Sequence, residues 1–216
     1  MGSVRLFAIA ITEVREFFGA PSELADRLRA IAARTTTTAS VPSQGLLGKL
    51  GPVFLRQPGA PIIRPDTPGR TVLDLMLAGR HVPPERLTAA WALLGTWLAA
   101  EAWGEHSAEF DAHAITALDF DLARVGVPTK WSLGDLVRND LGLPLRPAPG
   151  VAAGYVPNAA ASALAANWRP IVAELEPEHR AFVRGLLGWL DAFPEWTRQG
   201  SAAGRMPPDL VAILRS

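Results

Sequence analysis

The sequence predicts an α+β domain, predominantly helical, in which a small sheet containing the N- and C-terminal strands packs against a bundle centred on a helix over residues 83–103. Three features carry that expectation. The stretch from Pro83 to Trp103, PPERLTAAWALLGTWLAAEAW, places Leu87, Trp91, Leu94 and Leu98 at helical spacing, with Leu93, Trp97 and Trp103 filling much of the remaining circumference. A helix apolar nearly all round is a buried one, packed on several sides. Val4–Ile11, VRLFAIAI, is short, apolar and β-compatible, and Leu210–Leu214 is a second apolar run read as its partner strand. Finally, 216 residues, 49% hydrophobic and 19% charged, suit a single globular domain over 1–216 with a real core.

Taken in order, Thr12 is placed to cap a short helix, Glu13–Phe18, closed by Gly19. A second helix starts at Ser22 and carries Leu24, Leu28 and Ile31 on one face. Its Arg27, Arg29 and Arg34 lie toward the far end, where cations complement the helix dipole, and read as a solvated helix end. Thr35–Thr38 predicts a turn into an irregular covering loop over about 35–66, briefly helical at Gln44–Leu50. Gly69–Ala78 reads as a helix stopped by Gly79. Pro83 and Pro84 suit the first turn of the central helix, whose leading N–H groups have no partner within the helix.

Beyond it, Gly104–Asp111 reads as a polar helix end and loop, and Ala114–Arg124 as a helix ended by Gly126. Ser132-x-x-Asp135 is a capping-box pattern for a short helix, Leu133–Asn139. A Pro/Gly-rich connector, Leu143–Gly154, leads to an alanine-rich helix, Pro157–Trp168, which resumes at Ile171–Leu175. Pro177–Phe193 is amphipathic, and a polar loop, Thr197–Met206, precedes the last strand.

Several of these motifs together resemble uncharacterised bacterial domains of the YfbM-like kind. They are FAIAITEVREFFG near the start, WSLGDLVRNDLGLPL running into the connector, the Gly154-Tyr155 turn, and GLLGWLDA followed by the run Asp209–Leu214. The resemblance implies a small α+β domain with a few strands covered by helices. It implies no catalytic role.

Charge and composition narrow the function classes. Twenty-one basic residues balance twenty-one acidic ones, a formal net charge of zero. That argues against nucleic acid as a partner, since binding phosphates needs a basic surface. Weak self-repulsion also makes a homo-oligomer an expectation. The chain has no cysteine, which excludes disulfides, thiolate nucleophiles and thiolate metal sites. Val4–Ile11 lacks a basic lead-in, and Thr12-Glu13 follows directly, so neither a signal peptide nor a membrane partner is expected. Richness in Ala, Arg, Gly and Pro resembles proteins of high-GC bacteria. The reading is a cytoplasmic protein with no cofactor.

The densest polar cluster, from Glu101 to His113, supplies Glu105, His106, Glu109, Asp111 and His113. Imidazole and carboxylate are the ligands zinc, iron or manganese would use. Neither His-Glu-x-x-His nor a Glu-x-x-His pair is present, so the cluster reads as a solvated helix end, and no metal is expected. Asp119 and Asp121 flank Phe120; on a helix they diverge and make no acid–base pair. Ser132 lacks a nucleophile-elbow setting, and Gly45-Leu-Leu-Gly48 and Gly185-Leu-Leu-Gly188 lack the lysine of a phosphate loop. A ligand pocket formed by His81, Trp91 and Trp131 is the remaining candidate. The function expected is a non-enzymatic binding protein, regulatory or immunity-type, that acts by occupying a protein partner. The alternatives are an enzyme or metal protein using the 101–113 cluster, and a small-ligand binder with a tryptophan-lined pocket.

Overall fold

The computed structural model describes residues 2–38, 69–110, 112–137 and 139–216. At its centre β1 (Ser3–Ile9) pairs antiparallel with β4 (Asp209–Arg215), from Ser3 opposite Arg215 to Ile9 opposite Asp209. The expected pairing of the terminal strands is therefore present. β2 (Glu105–Glu109) flanks β1 and β3 (Val151–Val156) flanks β4, giving the order β2-β1-β4-β3 with every pair antiparallel.

Helices cover both faces of this sheet. On one face Phe7 and Ile9 of β1, with Val211 and Ile213 of β4, meet α1 (Ile11–Glu16), α2 (Ser22–Thr38), α3 (Arg70–Leu77) and α4 (Leu87–Glu101). On the other, Val4, Leu6, Ala8, Leu210 and Ala212 meet α5 (Ala112–Arg124), α6 (Asn158–Trp168), α7 (Pro177–Leu190) and α8 (Phe193–Ala202). The first half of the chain thus supplies one helical layer and the second half the other. Strands buried on both faces need apolar residues at successive positions, which is why VRLFAIAI reads as a continuous run without alternation. The central helix follows a 3-10 turn at Pro84–Arg86, and its Trp91, Leu93, Leu94, Trp97 and Leu98 are all buried. Phe17 meets Trp97 edge-on, with ring centroids 5.9 Å apart.

Several boundaries differ from the sequence reading, each for a physical reason. β1 stops at Ile9 and Ile11 already opens α1, because Asp209 across the sheet accepts the Ile11 N–H at 2.9 Å in place of a Thr12 cap. The other oxygen of Asp209 accepts the N–H of Asn158, the first residue of α6, at 3.0 Å. One carboxylate therefore caps two helices. Thr35–Thr38 is no turn; α2 runs through it to Thr38, since threonine costs a helix only a few tenths of a kcal/mol per residue, roughly, relative to alanine. The expected short helix at Gln44–Leu50 and most of the covering loop lie outside the described residues.

Gly104–Asp111 is not a helix end, because β2 occupies 105–109 as a short, charged edge strand. Likewise the connector contains β3, and the Gly154-Tyr155 step lies within that strand. A side chain at 154 would meet Val137 Cα at 2.5 Å, so only glycine lets Val137 and Asn139 lie against this edge, where Asn139 and Tyr155 exchange hydrogen bonds. The expected loop at Thr197–Met206 is helical to Ala202, because Pro194 starts α8 afresh two residues after α7 ends its turn. Leu133–Asn139 forms only a 3-10 turn, Gly134–Val137. Ser132 Oγ accepts the Asp135 N–H as the capping pattern requires, and Asp119 of α5 accepts the N–H groups of Leu133 and Gly134. Among the described residues no helix is long and apolar enough to cross a membrane.

Candidate binding site

The structure separates the residues that the sequence grouped. Glu105 and Glu109 project from one face of β2 and His106 from the other, because neighbouring residues of a strand alternate. Glu105 accepts a hydrogen bond from Arg5 Nε at 2.7 Å, whereas Glu109 is exposed opposite Ser3. His113 lies exposed in the first turns of α5, and Asp111 falls outside the described residues. Among the described residues no three His, Asp or Glu side chains come together to hold a metal ion.

The trio His81, Trp91 and Trp131 is not brought together either. Trp91 belongs to the apolar cluster on the α4 face and Trp131 to the cluster on the opposite face, while His81 is exposed between α3 and α4. Trp91 does line a cleft of about 380 Å³ with Leu141, Leu143 and Leu145, and its indole donates to the Arg146 carbonyl at 2.9 Å.

What the structure assembles instead is an aromatic corner where α4 runs into β2. Trp103 and His106 flank the start of the strand, Phe110 follows its end, and Phe182, Trp189 and Trp196 come from α7 and α8. Phe110 stacks on Phe182 with centroids 4.7 Å apart, and Trp189 meets Trp196 at 5.6 Å and Phe193 at 5.2 Å. His106 tilts against Phe182 at 5.9 Å and Trp189 at 6.2 Å. Gly104 makes this closeness possible: a side chain there would meet the Trp196 ring at 2.4 Å. All of these rings but Phe193 are only partly buried, and Met206, 59% exposed, follows directly on. Three polar atoms within the corner are buried with no hydrogen-bond partner: Trp103 Nε1, Trp189 Nε1 and His106 Nε2. Burial holds the His106 imidazole below its ordinary pKa.

A charged cleft adjoins the corner. Arg205 lies over the Trp103 ring at 4.6 Å, grips both oxygens of Glu13 at 2.8 and 2.7 Å and donates to the Glu101 carbonyl. The hydrogen bonds to Glu13 raise its already high pKa, so it stays a cation. Arg27 pairs with Glu101 at 2.9 Å, and with Glu16 these groups line about 510 Å³ floored by Ile9, Phe17 and Leu24.

Sequence spacing gave no sign of a third feature, since its members are far apart in the chain. Asp121 of α5, 3% exposed, accepts hydrogen bonds from the Glu176 N–H and from Arg124, and lies 2.8 Å from His179 Nδ1 of α7. Burial alone would raise its pKa. The bonds from His179, Glu176 and Arg124 outweigh that and hold the carboxyl below its ordinary value. A carboxylate so engaged ties α5 to the N-terminus of α7; as expected of a helix, Asp119 points elsewhere, to the 133–134 turn.

A family model described as a domain of unknown function, DUF7691, matches residues 1–213. The chain belongs to this family. No curated protein and no solved structure matches it.

Proposed function

We propose that this protein works by binding a protein partner, and that the aromatic corner of β2, α7 and α8 is the surface it offers. The observation that carries the reading is the pair of buried indole N–H groups, on Trp103 and Trp189, that have no acceptor. Each buried unmet donor costs about 1–3 kcal/mol. A partner whose backbone carbonyls reached these indoles would relieve that cost. The composition supports the same reading, because Trp, Phe, Met and Arg are the residues enriched at the centres of protein interfaces. The setting is that of a regulatory or immunity-type accessory protein of the bacterial cytoplasm. Kinship with the YfbM-like group, suggested by the motifs at the two ends, belongs to the same proposal.

The test is a paired capture experiment from the native host. Wild type is compared with the double variant Phe182→Glu, Met206→Glu, whose fold is first checked by its melting curve. A stoichiometric protein partner retained by wild type and lost by the folded double variant is the expected result. A partner held equally by both, or none held by either, overturns the proposal.

A further inference from the structure

His106 sits where an edge strand meets a helix with no room to spare. A side chain at Gly185 of α7 would lie 3.4 Å from His106 Cε1, so the imidazole rests directly on that helix, walled by Phe182 and Trp189. Its Nε2 is buried without a partner. A neutral ring tolerates such a place at the cost of one unmet group, but a protonated ring needs an acceptor or water for a second N–H and for its charge. The charged groups on the surrounding elements are paired with other groups or exposed to solvent. Arg5 of β1 and Glu105 of β2 pair with each other on the opposite face of the ladder, where Glu109 also projects. On α7, Glu178 and Arg184 are exposed and Arg180 donates to the Leu175 carbonyl; on α8, Arg198 pairs with Glu195. Among the described residues no carboxylate is bonded to the ring.

We infer that His106 is a pH-sensitive latch between β2 and α7: taking up a proton loosens α7 from the sheet edge and opens the aromatic corner. As regulation of that surface it rests on the binding reading above, yet it is tested without any partner. The sign follows from linkage. The folded ring titrates below the ordinary histidine value of 6.5, so the open state binds the proton more readily. The closed corner therefore keeps its full stability above about pH 6.5 and loses it as the pH falls toward the folded value.

The experiment follows amide exchange in α7 and β2, together with tryptophan emission, between pH 8 and pH 5, on wild type, His106→Phe, His106→Gln and His113→Ala. In wild type, exchange corrected for its intrinsic pH dependence rises as the pH falls, and the emission shifts red. The rise approaches about tenfold for each unit by which the folded ring is lowered. His113→Ala behaves like wild type, and both His106 variants stay flat; the glutamine variant decides should the phenylalanine one not fold. A flat wild-type profile, or the same transition without His106, overturns the latch. A working latch with no partner found would sink the binding reading alone.

Discussion

Trp97 and Trp189 are both packed edge-on against another aromatic ring, yet only one has its N–H answered. Trp97 donates to the Leu28 carbonyl at 3.1 Å, and the other deep indoles do likewise, Trp91 to Arg146 and Trp168 to Trp131. Trp189 and Trp103, at the corner, are buried at the nitrogen and bonded to nothing. Two imidazoles repeat the contrast: His179 faces Asp121, whereas His106 packs against Phe182 and Trp189 and its Nε2 has no partner among the described residues. The deep indoles thus find acceptors within the protein, whereas two at the corner have none among the described residues.

The largest effect should come from the settled side. Trp97→Ala removes a fully buried ring together with its hydrogen bond to the Leu28 carbonyl, and should cost on the order of 3–5 kcal/mol in chemical denaturation. Against a usual total of about 5–15 kcal/mol, that is enough to threaten folding. A cost below about 1 kcal/mol would mean that the α4 face is not the core described here.

Next comes Asp121→Ala, which takes away the acceptor of the Glu176 N–H and the partner of His179, and one of the partners of Arg124. A loss of about 3 kcal/mol is expected at neutral pH. Because the folded carboxyl titrates below its ordinary value, its contribution is present above about pH 4 and disappears as the pH falls through the folded value. Acid denaturation curves of wild type and variant should converge there. Curves that remain parallel down to the acid limit would show that Asp121 does not act through its charge.

A sharper comparison uses Trp→Phe, which deletes the donor and keeps most of the ring. At Trp97 it should cost about 1–3 kcal/mol, since a made bond is lost. At Trp189 the same change removes an unmet donor, so its penalty should fall below that at Trp97 by about 1 kcal/mol or more. Equal costs at the two sites would erase the contrast between core and corner.

The smallest effects belong to the polar residues that first drew notice. Glu109→Ala and His113→Ala, both exposed, should change stability by no more than about 0.5 kcal/mol. The change in melting temperature between EDTA and zinc, manganese or nickel should be the same for wild type and the double variant His106→Ala, His113→Ala. A shift of several degrees confined to wild type would make 101–113 a metal site by mass action.

The fold was legible wherever one residue type dominated a stretch. β1, α4 and β4 announced themselves by unbroken apolar runs, and Gly79 and Gly126 marked helix ends through positive φ values of 63° and 90°. The edge strands were not legible, for opposite reasons. β2 is written in charged and small residues that suit an exposed edge, and β3 in alanine and glycine that suit a covered one. Reading 104–111 as a polar helix end and loop hid the inward turn of His106, which the alternation of β2 produces. The Asp121–His179 contact and the aromatic corner join residues from separate elements, which no local spacing encodes.

The pairing of β1 with β4 sets a schedule for the chain's birth. A polypeptide emerges from the ribosome N-terminus first, at about 5–20 residues per second. β1 is made well before β4, the strand that pairs with it in the middle of the sheet. Until Asp209–Arg215 appears, VRLFAIAI has an open edge on its β4 side, and an open apolar edge invites pairing with other chains. The same late residues bring Asp209, whose carboxylate caps α1 and α6 together. Between the making of β1 and that of β4 the nascent chain must keep this apolar edge sheltered, and the central pairing waits on the later strand.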